Sequence, residues 1–123
     1  MEASGNTLPK EERLCSKKDI SGLLAGGTFC DAPGRMKACF RHGTGNSRNR
    51  IMVSVPKKLF KRAVRRNLLK RRIRESYRKQ KSMLSGNGTD ILFIYGNKEI
   101  MTYEEIFSSV RTLLQKINRD GDR

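Results

Sequence analysis

Arginine and lysine side chains crowd into one segment of this 123-residue chain. Residues 57–81 carry thirteen basic side chains against one carboxylate, Glu75, and so hold +12 of the formal net charge of +15. Cations at this density bind polyanions, and a guanidinium can grip a phosphate through two N–H groups or stack on an unpaired base. The segment therefore indicates a nucleic-acid partner, and favours structured or single-stranded RNA over a purely non-specific lysine patch.

The same segment predicts one long amphipathic helix. From Leu59 to about Leu84 it contains no Gly or Pro and is rich in Arg, Lys and Leu. Leu69, Ile73 and Tyr77 recur every four residues and predict an apolar stripe with a basic flank on each side. Neighbouring like charges cost roughly 0.2 to 0.5 kcal/mol per pair in a helix, so a structural role alone does not favour them. A merely solvated face would mix Glu with Lys.

Side chains for protein-based catalysis or metal binding are scarce. His42 is the single histidine, and no Ser or Cys motif near it supplies the neighbours of a nucleophile. Cys39 and His42 have metal-like spacing, but a tetrahedral zinc site needs a second ligand pair, which the sequence lacks. Cys15, Cys30 and Cys39 are odd in number and irregularly spaced, as expected of reduced thiols rather than of a disulfide framework. We therefore expect no catalytic residue and no metal site in the chain.

The first half of the chain predicts a short helix and two strands. Ser16 is positioned to cap a helix that Gly26 and Gly27 end. Two segments with alternating apolar residues, 36–41 and 51–55, predict half-buried strands, the second ended by Pro56. We expect these two strands to pair as an antiparallel hairpin.

The second half predicts a buried strand and a final helix. Residues 90–95 form a continuous apolar run that is typical of a central strand covered on both faces. Thr102 and Glu105 form a capping box before a helix with one apolar face. The predicted order is αββαβα, with a short additional strand around 28–30 left open. This order favours an α+β single-domain sandwich in which helices pack on a small mixed sheet.

The composition argues against a membrane protein. No stretch approaches the roughly 18 apolar residues of a membrane span. The N-terminus lacks the basic and apolar regions of a secretory signal, so we expect a cytoplasmic location. An anionic membrane surface is the weaker alternative to nucleic acid as a partner for the basic helix.

The segment VSVPKKLFKRAVRRNLLKRRIRESYR, residues 53–78, resembles the most distinctive segment of bacterial ribonuclease P proteins. In that family a strand ending in Lys precedes a helix patterned Ala-Val-x-Arg-Asn-x-x-Lys-Arg-x-x-Arg-Glu, which corresponds here to residues 63–75. The resemblance extends to LPKEERLCSKKDI near the N-terminus, where the family has an Arg-Leu pair before its first helix. It covers residues 8–118 and implies one RNA-binding domain there. Residues 1–7 are small and polar and predict a flexible tail, and residues 119–123 are expected to form a C-terminal tail.

The resemblance also implies a function and a set of partners. Ribonuclease P is an endonuclease that removes the 5′ leader of precursor tRNA, and its RNA subunit does the chemistry while the protein assists. The implied partners are the catalytic RNA and precursor tRNA, with Mg²⁺ held mainly by the RNA, and no membrane or stable protein partner. The family further has a left-handed βαβ crossover through the basic helix, which pattern reasoning could not predict because crossovers are generally right-handed.

The family motif designates the RNA contacts on the basic helix. The predicted contacts are Arg65, Arg66, Asn67, Lys70, Arg71, Arg72 and Arg74, of which Arg65 and Arg72 are supplementary. Asn67 could instead be a local structural amide, and Leu68 departs from the family, which commonly has a third Arg there.

A cleft between the first helix and the sheet receives the single-stranded leader in this family. The candidate cleft residues here are Ile20, Leu24 and Phe40. Ile20 and Leu24 stand where relatives often have Phe, so apolar contact would replace stacking there. Phe40 could supply an aromatic platform, but its place on an alternating strand favours the core.

Two other function classes stay open on the sequence alone. A structural RNA-binding protein of the ribosomal type would share the basic helix and the small α+β fold, but would not stimulate cleavage of precursor tRNA. A DNA-binding regulator would need a short two-helix recognition unit with a tight turn. The basic helix here is instead longer than about 30 Å, at about 1.5 Å per residue, and is flanked by strands.

Overall fold

The computed structural model describes residues 12–14 and 16–121 of the chain. The elements in order are helix α1 (Lys17–Gly26), strands β1 (Thr28–Ala32), β2 (Met36–Arg41) and β3 (Arg50–Ser54), helix α2 (Ala63–Gln80), strand β4 (Asp90–Tyr95) and helix α3 (Tyr103–Gly121). The additional strand left open at 28–30 is therefore present as β1. The predicted tail at 1–7 and Cys15 lie outside the described residues, and residues 119–121, predicted as tail, belong to α3.

The four strands form one mixed sheet in the order β1-β2-β4-β3. The β1–β2 and β2–β4 pairs are antiparallel, and β3–β4 is parallel. The predicted hairpin of β2 with β3 is wrong, because β4 lies between them. Alternating apolar residues identify a strand and its buried face, but they do not select its partner. β4 takes a central position because nearly all its residues are apolar and need cover on both faces.

Each face of the sheet has its own apolar core. On one face α2 and α3 pack over residues such as Ile51 and Phe93 to form the larger core. On the other face α1 packs through Leu23 over Cys39 and Leu92. The molecule is thus an α+β sandwich with the sheet as its middle layer, as predicted. No described helix has the length and apolar character needed to span a membrane.

Helix α2 begins later than predicted, at Ala63 rather than near Leu59. The N–H groups of Leu59 and Phe60 both donate to the carbonyl of Pro56, so this stretch forms a turn. Phe60 is buried, and its ring lies 5.9 Å from that of Tyr95.

The predicted stripe of α2 is confirmed. Leu69, Ile73 and Tyr77 are all fully buried against the sheet. The basic flanks predicted beside this stripe are therefore held in fixed directions.

The β3–α2–β4 crossover is left-handed, as the family resemblance implied. Ile51 of β3 points its side chain toward α2 and α3, and its carbonyl accepts from the Leu14 N–H on the side away from β4. For an L-residue in a strand running upward with its side chain toward the viewer, the carbonyl points right. β4 therefore lies to the left of β3 while α2 passes in front, which is the rare hand.

Replacing Ile73 with Ala should lower the free energy of unfolding by about 2 to 5 kcal/mol, because it leaves a cavity beneath α2. Val64→Ala in the same helix is the matched control, since Val64 is 79% exposed. This second change should alter the free energy of unfolding by less than about 0.5 kcal/mol. Urea unfolding followed by circular dichroism measures both, and equal losses would contradict the packing described.

Candidate nucleic-acid interface

The cations of α2 divide into groups with different surroundings. One flank of the helix faces α3. There Arg72 donates to the Met101 carbonyl at 2.6 Å, and Lys79 lies 5.8 Å from the ring centre of Tyr103. Arg65, two turns before Arg72, is exposed on the same flank. The guanidinium of Arg72 thus helps to hold α2 against the start of α3.

Arg66 is engaged with the turn that precedes α2. Its Nη1 donates to the carbonyls of Phe60 at 2.7 Å and Lys61 at 2.8 Å. The helix has no side-chain cap from Arg62, its N-cap residue. Arg66 therefore fixes the entry to the helix, and only its remaining N–H groups are available to a ligand.

The other predicted contacts lie together on one open face. Asn67, Lys70, Arg71 and Arg74 follow one another at i, i+3, i+4 and i+7, the spacing of neighbours on a helix surface. The side chains of these four residues make no hydrogen bond or ion pair with another residue in the described part of the chain. We call this surface the open α2 face. The lack of a hydrogen bond from Asn67 disfavours the alternative that it is a structural amide.

Arg13 adds a further charge beside this face. The segment at 12–14 runs along the outer edge of β3, where Arg13 forms a parallel bridge with Ile51. Partial desolvation, and then the charge of Arg13, lower the pKa of Arg74. An arginine stays cationic under such a shift, so the two guanidinium groups raise the local positive potential together.

A second candidate surface lies on the opposite face of the sheet, beside α1. One flank of α1 is occupied: Asp19 pairs with Arg50 at 3.3 Å, and the Arg41 guanidinium lies against Gly22. Ile20 and Leu24 belong to the other flank, one helical turn apart.

The row of sheet residues beyond that second flank is only partly covered, since Ile94 packs against the core that contains Leu23 of α1. Strand register places Lys37, Ile94 and Ser54 side by side in this row, and Asp31 extends it on β1. Lys37 and Asp31 are exposed, and Ile94 and Ser54 are half-buried. We call the surface between Ile20 and Leu24 on one side and this row on the other the α1 groove.

With the two surfaces located, comparison with known proteins identifies the family. The sequence profile described as Ribonuclease P matches residues 8–118. The chain belongs to the ribonuclease P protein family.

Several members of the ribonuclease P family are similar in sequence. The Ribonuclease P protein component of Porphyromonas gingivalis is 37% identical over 81 residues, which cover 63% of this chain and 58% of that protein. The chain thus spans less than two thirds of the length of that relative. The component of Borrelia hermsii is 34% identical over 103 residues, which cover 83% of this chain and 84% of that protein.

Solved structures of ribonuclease P proteins share the fold. The Staphylococcus aureus protein superposes with a TM-score of 0.74 at 27% identity, covering 86% of this chain and 94% of that one. The Thermotoga maritima protein gives a TM-score of 0.73 at 27% identity, covering 85% and 96%. The αβββαβα order is therefore the fold of the family.

One of the three predicted groove residues is placed wrongly. Ile20 and Leu24 lie at the α1 groove, but Phe40 is only 2% exposed and packs in the core beneath α2 and α3. Its ring contacts that of His42 edge-on at a centroid distance of 5.4 Å. Alternation along β2 puts Phe40 on the face opposite Cys39, which is the residue that α1 covers. The core alternative for Phe40 is the correct one.

Phe29 is an exposed aromatic residue that sequence reasoning did not single out. This residue is 56% exposed on β1 and lies on the sheet face that α1 covers, opposite Cys39. The segment around it is short and its neighbours are polar or small, so its pattern carried little signal. The available signal was an aromatic residue two positions after the glycines that end α1.

The thiols and the histidine are engaged in the fold. Burial raises the pKa of Cys30 to about 11, and it also raises the pKa of Cys39, whose Sγ donates to the Leu23 carbonyl at 3.3 Å. Both are free thiols, as predicted. His42 bonds Thr89 at 2.8 Å and the Ile117 carbonyl at 3.2 Å on the other face of the sheet, so it cannot share a metal with Cys39.

The residues present do not fit a protein-held magnesium ion. Residues 12–14 and 16–121 bring together no group of three His, Cys, Asp or Glu side chains that could hold a metal. The fully buried Asp90 accepts hydrogen bonds from Arg50 at both carboxylate oxygens, at 2.9 and 2.8 Å, and is not available as a ligand.

Substitution of two adjacent arginines of α2 should distinguish a structural role from a binding role. Arg72→Ala removes a charged donor from the Met101 carbonyl and should lower the free energy of unfolding by about 1.5 kcal/mol or more. Arg71→Ala, its matched control, removes an exposed cation without a partner and should change the free energy of unfolding by less than about 0.5 kcal/mol. Chemical unfolding of the two variants measures the difference, and equal stability would refute the division.

Proposed function

We propose that this chain is the protein subunit of ribonuclease P, which acts in the cytoplasm on precursor tRNA. In this proposal it binds the catalytic RNA and the 5′ leader, and assists the endonucleolytic removal of that leader. The observation that carries the proposal is the open α2 face, where Asn67, Lys70, Arg71 and Arg74 have no partner within the described fold. Cations that neither stabilise the fold nor pair with acids are suited to a phosphate backbone.

The open α2 face is the proposed site for the catalytic RNA. Its three cations lie within about one helical turn, roughly 6 Å along the axis, and the face from Asn67 to Arg74 extends over roughly 10 Å, so it can reach adjacent phosphates of an RNA strand. Guanidinium groups can grip phosphate oxygens through two N–H donors, and the amide of Asn67 can both donate and accept. Leu68 stands where the family commonly has a third Arg, so this chain would make one contact fewer there.

The α1 groove is the proposed site for the single-stranded leader. Ile20, Leu24 and Ile94 offer apolar surface to bases, and Lys37 offers a charge to phosphate. An extended strand with unpaired bases matches this mixture of apolar and cationic surface better than a duplex does. Lys57 and Lys58 follow β3 in the chain, at the strand end nearest Ser54, and would continue the cationic path toward α2.

Catalysis in this proposal belongs to the RNA subunit. The described residues do not fit a magnesium ion, so we propose that Mg²⁺ is held mainly by RNA phosphates, which are oxygen ligands that the ion prefers. The protein would contribute by neutralising phosphate charge and by holding the leader. Its effect would then be greatest when the concentration of Mg²⁺ is low, because protein cations and metal ions screen the same phosphates.

Cleavage of precursor tRNA tests the proposal directly. Ribonuclease P RNA from the same organism is assayed at low Mg²⁺ with and without the chain. We expect strong stimulation of 5′-leader removal by the chain, and no cleavage by the chain alone. Failure to stimulate a well-folded cognate RNA would favour a structural RNA-binding protein instead.

The salt dependence of RNA binding tests the role of α2. Lys70→Ala with Arg71→Ala removes two proposed phosphate contacts, so the chain should bind the catalytic RNA more weakly. The slope of log K against log salt should become shallower by about 1.4 to 1.8.

Arg111→Ala with Arg119→Ala is the control for this measurement, since it removes the same charge from exposed positions of α3. This control should change the slope by much less. Equal changes of the slope in the two double variants would mean that the open α2 face contributes only through the net charge of the protein.

A further inference from the structure

Phe29 is an exposed aromatic side chain with no structural use in the described fold. It is 56% exposed on the edge strand β1, and it belongs to neither apolar core. A single exposed apolar residue is ordinary on a protein surface, so exposure alone carries no argument. A role for Phe29 follows from its position in the fold.

Three observations place Phe29 at one end of the α1 groove. It lies opposite Cys39, whose Sγ donates to the Leu23 carbonyl in the last turns of α1. It is a diagonal neighbour of Lys37 on the same face of the sheet, within roughly 8 Å. Leu24, also exposed at 47%, belongs to the flank of α1 that borders the groove. Two of the four large exposed apolar side chains in the described part of the chain therefore lie at this groove, next to a free cation.

We propose that Phe29 is a stacking platform for one unpaired base of the 5′ leader, with Leu24 beside it and Lys37 on the adjoining phosphate. This inference rests on the proposed function, and adds to it the residue that grips the leader base. The face of a phenyl ring accepts any nucleobase, so the contact would favour an unpaired base over a paired one without selecting its identity.

The charges around Phe29 favour a base rather than the backbone at this position. Asp31 is the next residue along the same face of β1, and its carboxylate is exposed. A carboxylate repels phosphate, whereas Lys37, across the strand pair from Asp31, attracts it. The sugar-phosphate chain would therefore run on the β2 side of the groove, with the base turned toward β1.

The same arrangement accounts for the aliphatic residues on α1. Ile20 and Leu24 give apolar contact but no π-face, so α1 alone cannot stack a base. Phe29 supplies the missing ring from the strand that follows α1. The stacking surface in this chain is thus on β1 and not on the helix.

The experiment measures binding of precursor tRNA by the holoenzyme reconstituted with its ribonuclease P RNA. The substrates carry either a leader of one nucleotide, progressively longer leaders, or a long leader with a single abasic nucleotide at each position in turn. The variants are Phe29→Ala, Phe29→Leu and Phe29→Tyr. Ile100→Ala is the control, because it removes a partly exposed apolar side chain from the loop before α3.

With the native chain, loss of the base at one leader position should weaken binding by about fivefold or more. Phe29→Ala and Phe29→Leu should weaken binding of the intact long leader by a similar factor, and in these variants the abasic substitution at that position should have no further effect. Phe29→Tyr should retain the native pattern, since it keeps the ring. The one-nucleotide leader and Ile100→Ala should be unaffected.

Native affinity of Phe29→Ala for long leaders would overturn the inference. So would an equal loss at every leader length, or an abasic effect that persists unchanged in the variant. Cleavage of the one-nucleotide substrate reports separately on the proposed function, because it does not depend on Phe29. If the native chain fails to stimulate that reaction, the proposed function fails. If stimulation is normal but the abasic nucleotide weakens binding equally in the native chain and in Phe29→Ala, only the role of Phe29 is refuted.

Discussion

The burial of one apolar stripe on α2 is the constraint on which the rest of the molecule depends. Leu69, Ile73 and Tyr77 are fully buried, and burying each such side chain contributes roughly 1.5 to 3 kcal/mol. This gain exceeds the repulsion among the helix cations, at roughly 0.2 to 0.5 kcal/mol per neighbouring pair. Packing of the stripe also fixes the rotation of α2. The flank with Arg72 must then face α3, and the flank with Arg74 must face the edge of β3.

The central strand β4 joins the basic helix to the groove on the other face of the sheet. Its first residue, Asp90, is fully buried, and Arg50 of β3 satisfies both of its carboxylate oxygens. The same Arg50 reaches Asp19 of α1. A charged group buried in this way is costly unless it is paired, so β3, β4 and α1 are held in one arrangement. The position of α1, and with it the width of the groove, therefore depends on the strands that flank α2 in the chain.

Sequence reasoning succeeded where a pattern has a local cause and failed where the cause is distant. The stripe on α2 and the capping box of Thr102 were predicted correctly, because helical spacing and capping are local. The partner of β3 was predicted wrongly, since the alternation of apolar and polar residues along a strand does not indicate which strand lies beside it. Arg71 and Arg72 have the same side chain, and the family motif specifies only Arg71 without saying what Arg72 does. Only the tertiary contact with Met101 shows that Arg72 is partly structural.

Residues 12–14 cover the outer edge of the sheet along β3. An edge strand exposes unpaired backbone groups, and here the N–H of Leu14 donates a hydrogen bond to the Ile51 carbonyl of β3. Glu12, almost fully buried, holds the segment through Lys81 at 2.8 Å. These contacts place Arg13 close enough to Arg74 to influence its pKa. The residues that close the edge thus add charge beside the open α2 face. The open α2 face and the α1 groove thus lie on opposite faces of a sheet whose edge strand β3 borders both.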